Sequence, residues 1–393
     1  MNLFPACEDN YTTFKGLQDD KDSVPSHCLD QYIVDVEVAV MGTALQKYSD
    51  LVADGYDEKF DIYSEYVADQ VQDQLDAFMT SDKVYDYFRC TQTRQRNCCD
   101  DCMIAHCAAN CNDRDDCRET DGWMTVTIDC PAQTQGENVP NTTYTLEDPE
   151  GFYKELLNEY GIEKSWVKFD KRMVEPSQGC KYAGEDVQHC LEVNSIWLWN
   201  YPMKGEVHVH DPKDLIGKSY GKTKDLLSRL ETVRDNVEYD DMLHWSDVVD
   251  AASLPALTTE AAVENMNKVV KSADKIEKQH REEMILEFLT GILFFIPVLG
   301  EAVGLASLEL RTLFQLLGSA GDVGLTVYSI VEDPDNAFMS VFSLLAGAGV
   351  GPSGWSKAAR ARRSIKPSEI DSLGSIKHDL NLIDDIRGGV CRV

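Results

Sequence analysis

Eight of the 13 cysteines fall between Cys90 and Cys130, and none falls between residues 191 and 390. This distribution constrains the fold more than any other feature of the chain. The dense stretch holds Cys90, Cys98, Cys99, Cys102, Cys107, Cys111, Cys117 and Cys130, with few apolar residues besides Met103, Ile104 and Trp123. Such a segment buries too little surface to be stable alone and depends on cross-links. Cys7 and Cys28 precede it, Cys180 and Cys190 follow it, and Cys391 stands near the end. All are disulfide candidates, which implies folding in an oxidising compartment. The odd count leaves one thiol over unless its partner lies outside this chain. Cys99-x-x-Cys102 beside His106 also has a zinc-like spacing. A second such pair at the usual remove is missing, however, and adjacent Cys98-Cys99 is typical of disulfide frameworks. No metal and no cofactor is assigned.

Apolar periodicity supplies the rest of the fold class. Residues 1–30 read as polar and irregular. Ile33, Val36, Val40 and Leu45, then Ile62, Tyr66, Val71, Leu75 and Phe78, predict two helices between Asp30 and Ser81, split near Asp54-Gly55. Residues 123–128 alternate and read as a strand. Residues 131–149 read as a loop, 152–157 as a helix and 191–199 as a strand. Asp211-Pro212 starts a helix, with Asp as cap and Pro at the first position. Helices are expected over 219–236 and from about Thr258 to Ile296, followed by apolar helices to about Ala346 and a closing helix near Ile383. The expected fold is mainly α with a small α+β module, a disulfide-rich N-terminal half and a C-terminal helical bundle carrying an apolar hairpin. The expected division is an acidic helical and Cys-rich domain (1–135), a small α+β module (136–215) and a C-terminal helical domain (216–393).

Charge excludes one class of partner. The chain carries 68 acidic and 37 basic residues, a net of −31. Residues 1–150 alone hold 31 Asp and Glu against 10 Lys and Arg. A surface this acidic repels polyphosphate, so nucleic acid is not expected as a partner. The opening stretch lacks the basic and apolar regions of a signal peptide. Secretion is therefore expected from the cysteines and from the sequons at Asn10 and Asn141, both candidates for N-glycosylation.

No catalytic residue is assigned. Family 18 glycoside hydrolases need an Asp-x-x-Asp-x-Asp-x-Glu run, and Asp54-Gly-Tyr-Asp57-Glu58 and Asp113-Arg-Asp115-Asp116 resemble it only superficially. His208 and His210 form a His-x-His pair without an evident third ligand. Trp197, Trp199 and Tyr201 either stack on sugars or pack in the core. Trp197 and Trp199 share a strand face. Phe288 to Gly300 contains Thr290 as its one polar residue, too short a run to span a bilayer. Phe288, Leu289, Phe294, Phe295 and Pro297, with Phe338 and Phe342 in a second apolar run, form either the core of a helical domain or a hairpin that inserts in a lipid bilayer. Arg360, Arg362 and Arg363 face either lipid headgroups or solvent.

Residues 288–303, Gly321-Asp-Val-Gly-Leu-Thr-Val-Tyr, Asp333-Pro-Asp-Asn-Ala-Phe and Lys357-Ala-Ala-Arg-Ala-Arg-Arg resemble the C-terminal region of fungal class V, killer-toxin-like chitinases of family 18. Gly55-Tyr-Asp-Glu-Lys-Phe, Tyr87-Phe-Arg-Cys90 and Ser253-Leu-Pro-Ala-Leu extend the resemblance over nearly the whole chain. It implies a secreted accessory or toxin-like region acting at the fungal cell wall or a membrane, with chitin and a toxin partner chain as partners. In that family the catalytic barrel and the LysM modules precede this region. Chitin hydrolysis is the alternative, on a barrel that this chain does not contain.

Overall fold

The computed structural model describes residues 7–97, 119–132, 140–175, 180, 187–209, 211–217, 220–236, 244–277, 352–363 and 375–388. In chain order these form α1 (Phe14–Asp20), α2 (Leu29–Ala53), α3 (Tyr56–Met79), α4 (Val84–Tyr87), β1 (Phe88–Asn97), β2 (Glu119–Ile128), β3 (Thr142–Leu146), α5 (Pro149–Tyr160), β4 (Val167–Glu175), α6 (Val187–Asn194), β5 (Ile196–Lys204), α7 (Pro212–Gly217), α8 (Tyr220–Asn236), α9 (Trp245–Glu277), α10 (Pro352–Arg363) and α11 (Ser375–Ile386). The protein is mainly α with a small α+β module. Two compact units divide it: residues 1–64 with 210–393, and residues 65–209. The units are drawn differently from the expected three-part division, because the N-terminal helices pack with the C-terminal ones.

The helical unit is built on α2 and α9. Gly55, at φ 81°, supplies the left-handed turn that ends the α2 run and lets α3 begin. Ile33, Val36, Met41 and Leu45 of α2 are buried, as are Val249, Ala252, Ala256, Val263 and Met266 of α9. The many alanines of α9 let its backbone approach its neighbours closely. That helix begins 13 residues before the expected Thr258, running straight through Pro255. Pro255 removes one internal hydrogen bond, and the Thr259 hydroxyl donates to the Pro255 carbonyl at 2.8 Å. The stretch before Asp30 is not wholly irregular either. It contains α1, which Thr13 caps, its hydroxyl accepting from the Gly16 N–H at 3.2 Å.

Ion pairs tie the two ends of the chain together inside this unit. Arg387, just past α11, contacts Asp30 of α2 and Asp250 of α9, each at 2.9 Å. Arg363 of α10 bonds to Asp250 and, at 2.7 Å, to Asp247. Lys21 reaches Asp385 at 2.9 Å. Asp211 caps α7 as expected, accepting from the Lys213 N–H and from the Tyr56 hydroxyl, both at 2.8 Å.

The second unit is a five-stranded mixed sheet in the order β2-β1-β3-β5-β4. All neighbours are antiparallel except β3 and β5. Helix α5 follows Asp148, whose carboxylate accepts from the Gly151 N–H at 3.0 Å, and stops at Gly161, at φ 64°. Two expectations are corrected here. Residues 131–149 are not all loop, because β3 lies among them. The strand expected over 191–199 is a helix up to Asn194, and the strand starts at Ile196. The Cys180–Cys190 bridge holds the first turn of that helix, and the Ser195 N–H still bonds back to the Leu191 carbonyl at 3.2 Å.

Among the described residues, three disulfides form: Cys7–Cys28, Cys90–Cys130 and Cys180–Cys190. The first braces the start of α2, and the second links β1 to the end of β2. Alkylating the native chain without reductant leaves these six cysteines unlabelled, and peptide mapping recovers the three pairs. Label on any of the six contradicts the pairing. Cys98, Cys99, Cys102, Cys107, Cys111, Cys117 and Cys391 lie outside the described residues, as do Phe288, Leu289, Phe294, Phe295, Pro297, Phe338 and Phe342 of the apolar hairpin. No described helix is long and apolar enough to cross a membrane.

Candidate functional site

The sheet has one dry face and one open face, and the division follows strand alternation. Phe88 and Cys90 of β1, Tyr144 of β3, and Leu198 and Tyr201 of β5 are buried on the dry side. Phe152 of α5 sits among them, its ring centroid 5.4 Å from Phe78 and 5.0 Å from Phe88 in edge-to-face contacts. Asp76 of α3 gathers the polar groups there. Its carboxylate accepts from the Tyr201 hydroxyl at 3.0 Å, from Gln72 at 2.9 Å and from Arg172. Burial, with Asp76 beside it, pushes the Tyr201 phenol far above its ordinary range, so it stays a neutral donor.

The open face carries Trp197 and Trp199, with Thr143 and Thr145 of β3, Thr91 and Thr93 of β1, and Trp123, Thr125 and Thr127 of β2. Trp197 is half-buried, Trp199 is 43% exposed and Trp123 is 73% exposed. The Trp197 and Trp199 rings lie 6.1 Å apart at 39°. The Lys171 ammonium stands 5.0 Å from the first ring and 5.9 Å from the second. A cation–π contact at such an exposed site holds the rings by about 0.5–1 kcal/mol, which a ligand can displace. The core reading is thus corrected for Trp199, while it holds for Tyr201; Trp197 lies between the two. The three share sequence parity and would share a face in a regular strand. Asn200 breaks the alternation at φ 54°, a conformation its side chain tolerates. Its amide donates to the Tyr144 carbonyl at 2.8 Å, and Tyr201 turns inward.

The other sequence candidates fall elsewhere. Asn10 and Asn141 are exposed, and the Asn141 side-chain carbonyl accepts from the Trp197 N–H at 2.7 Å. The His208 backbone carbonyl accepts from the Trp166 indole at 3.2 Å; His210 lies outside the described residues. Cys7, His27 and Cys28 lie close enough to share a metal, but both cysteines are committed to one disulfide. Asp57 pairs with Lys213, and Asp113, Asp115 and Asp116 lie outside the described residues. Of the three arginines read as facing lipid headgroups or solvent, Arg362 is buried, which corrects both readings for it, and the exposed Arg363 pairs with Asp247 and Asp250.

Periodicity gave no warning of two carboxyls held away from water, one buried and one half-buried. Glu37 of α2 is fully buried with neither oxygen hydrogen-bonded, and burial, then Asp250, raises it well above the usual carboxylate range. Glu260 of α9 is pushed up to about 7 by burial, then by Glu264 and Asp379. Perturbed acids often mark catalytic sites, but Glu37 is sealed in the helix packing and cannot touch a substrate.

Residues 65–206 match the LysM11 alpha/beta domain, and residues 212–392 match the LysM11 C-terminal domain. Both matches are to domains of LysM11, and together they cover most of the chain. The alpha/beta match coincides closely with the sheet unit, and the C-terminal match covers α7 to α11 of the helical unit. The chain is also 27% identical, over 95% of its length, to a protein from Penicillium expansum named "Probable chitinase LysM11". The chain spans 33% of that relative's length. No solved structure matches this chain.

Proposed function

We propose that this chain is a non-catalytic accessory region of a secreted, chitinase-related protein, and that it contacts the glycan of a fungal cell wall. The observation that carries the reading is the tryptophan pair on the open sheet face. Indole rings left toward solvent on a folded sheet expose large apolar area at a cost, and a ring face is the chemical complement of the apolar C–H face of a pyranose. The name of the Penicillium relative supports chitin as the glycan. The disulfides support a place outside the reducing cytosol.

The test is retention of the full chain on chitin beads. The expected result is retention, reduced at least about tenfold (about 1.4 kcal/mol) by W197A combined with W199A. Circular dichroism of the variant serves as the fold control. Equal retention of both proteins, or none by the parent chain, defeats the reading. Release of soluble sugar from the beads by the chain alone defeats its non-catalytic part.

A further inference from the structure

The open face offers more than two rings, because the register aligns its side chains across the strands. Trp199 pairs with Thr143, Thr143 with Thr91, and Thr91 with Thr127. One row therefore crosses four strands, spaced about 4.8 Å apart. These positions alternate with residues turned to the dry side, so the row points outward: Leu198 precedes Trp199, Thr142 and Tyr144 flank Thr143, and Cys90 precedes Thr91. A parallel row contains Thr93 and Thr125, whose hydroxyls are exposed and 3.1 Å apart. Threonine hydroxyls each donate once and accept twice, so the row presents hydroxyl-binding groups at a constant step, ending on an aromatic platform.

We propose that this face binds a single extended, β-linked, neutral polysaccharide chain laid across the strands along Trp199, Thr143, Thr91 and Thr127. The proposal rests on the wall-glycan reading above and adds the ligand's chemistry, length and direction. The strand step is close to the advance of one sugar residue in such a chain, so successive residues meet equivalent hydroxyls. Other occupants fit worse. A polyanion meets a chain of net charge −31. A peptide adds to a free sheet edge through backbone hydrogen bonds, whereas the backbone groups of β1, β3 and β5 are shared with neighbours on both sides. A lipid surface needs a continuous apolar patch, and a line of hydroxyls interrupts this one.

The experiment is a tryptophan-fluorescence titration of the full chain with N-acetylglucosamine oligomers of one to six residues. Affinity is expected to rise at least about tenfold from dimer to hexamer. Thr91→Val combined with Thr143→Val keeps the strand-forming shape and removes the hydroxyls. It is expected to lower hexamer affinity at least about fivefold and dimer affinity by less. Affinity independent of length, or a hexamer bound by the valine variant as by the parent, overturns the proposal. In that outcome, loss of binding in the W197A/W199A variant still upholds the wall-glycan reading. No binding of any oligomer and no retention on chitin overturns both.

Discussion

Replacing Arg387 by alanine is expected to destabilise the helical unit by about 3–5 kcal/mol. The Arg387 side chain is 12% exposed and that of Asp250 9% exposed, so little solvent screens the pair. Arg387 also holds Asp30, whose carboxyl burial raises above the ordinary range even with the guanidinium beside it. Removing the cation leaves Asp30 without this partner and Asp250 dependent on Arg363 alone. The cost comes from stranding buried carboxylates, more than from the attraction lost. The geometry around Arg387 reinforces this. Its backbone N–H closes the last turn of α11 at 3.2 Å on Ile383, and Gly388 at φ 76° ends the helix, so the guanidinium is carried on a fixed terminus. In a thermal melt the loss corresponds to about 10 °C for a unit of this size. Adding Asp250→Asn to Arg387→Ala is expected to restore part of the stability, because it removes one of the stranded charges. A single variant within about 1 kcal/mol of the parent, on the surface-pair scale, shows that the network does not hold the two ends together.

How much of this was legible follows from the range of the interactions. Helices α2 and α3 declare themselves through local spacing, because Ile33, Val36, Leu45, Val71, Leu75 and Phe78 recur at helical steps. Gly55 and Asp211-Pro212 mark boundaries through backbone chemistry that any sequence shows. Strand β3 is different. Thr142-Thr-Tyr-Thr-Leu is polar enough to read as loop, and only pairing with β1 and β5 makes it a strand. The expected start at Thr258 left out the first turns of α9, which tertiary packing forms through Pro255 regardless. At the candidate site, alternation placed Trp197 and Trp199 on one face but gave no sign of which face is dry, since a one-residue slip exchanges the two. The turn at Asn200 that separates Tyr201 from them is likewise a property of the folded sheet. The threonine row depends on registers between distant strands, so no local pattern announces it.

Raising the pH from 5 to 8 is expected to weaken the helical unit, chiefly through Glu260. Burial, then Glu264 and Asp379, moves this carboxyl to about 7 in the folded chain, against an opposing pull from Lys47. The unfolded chain returns it to the ordinary value of about 4.3. The folded state thus binds the proton more tightly. Its contribution is fully present below the unfolded value and is lost as pH rises through 7. The shift is worth about 3–4 kcal/mol unscreened, and about 2 kcal/mol once water at the partly open flank is counted. Glu37 acts in the same direction: burial raises it, with Asp250 and Asp30 adding to that and Arg387 and Arg362 opposing. So does Asp379, which burial raises first and Glu264 last, against His378. On the acid side, Asp247 acts oppositely. Burial raises it, but hydrogen bonds from Ser356 and Arg363 outweigh that and hold it below the usual range. Its contribution is lost only as pH falls through that depressed value. Maximum stability is therefore expected on the acid side of neutrality. Thermal melts followed by circular dichroism between pH 4 and 8 check this, with Glu260→Gln expected to flatten the neutral limb. A parent chain whose melting temperature rises from pH 5 to 8, or a Gln variant with an unchanged slope, removes Glu260 as the cause.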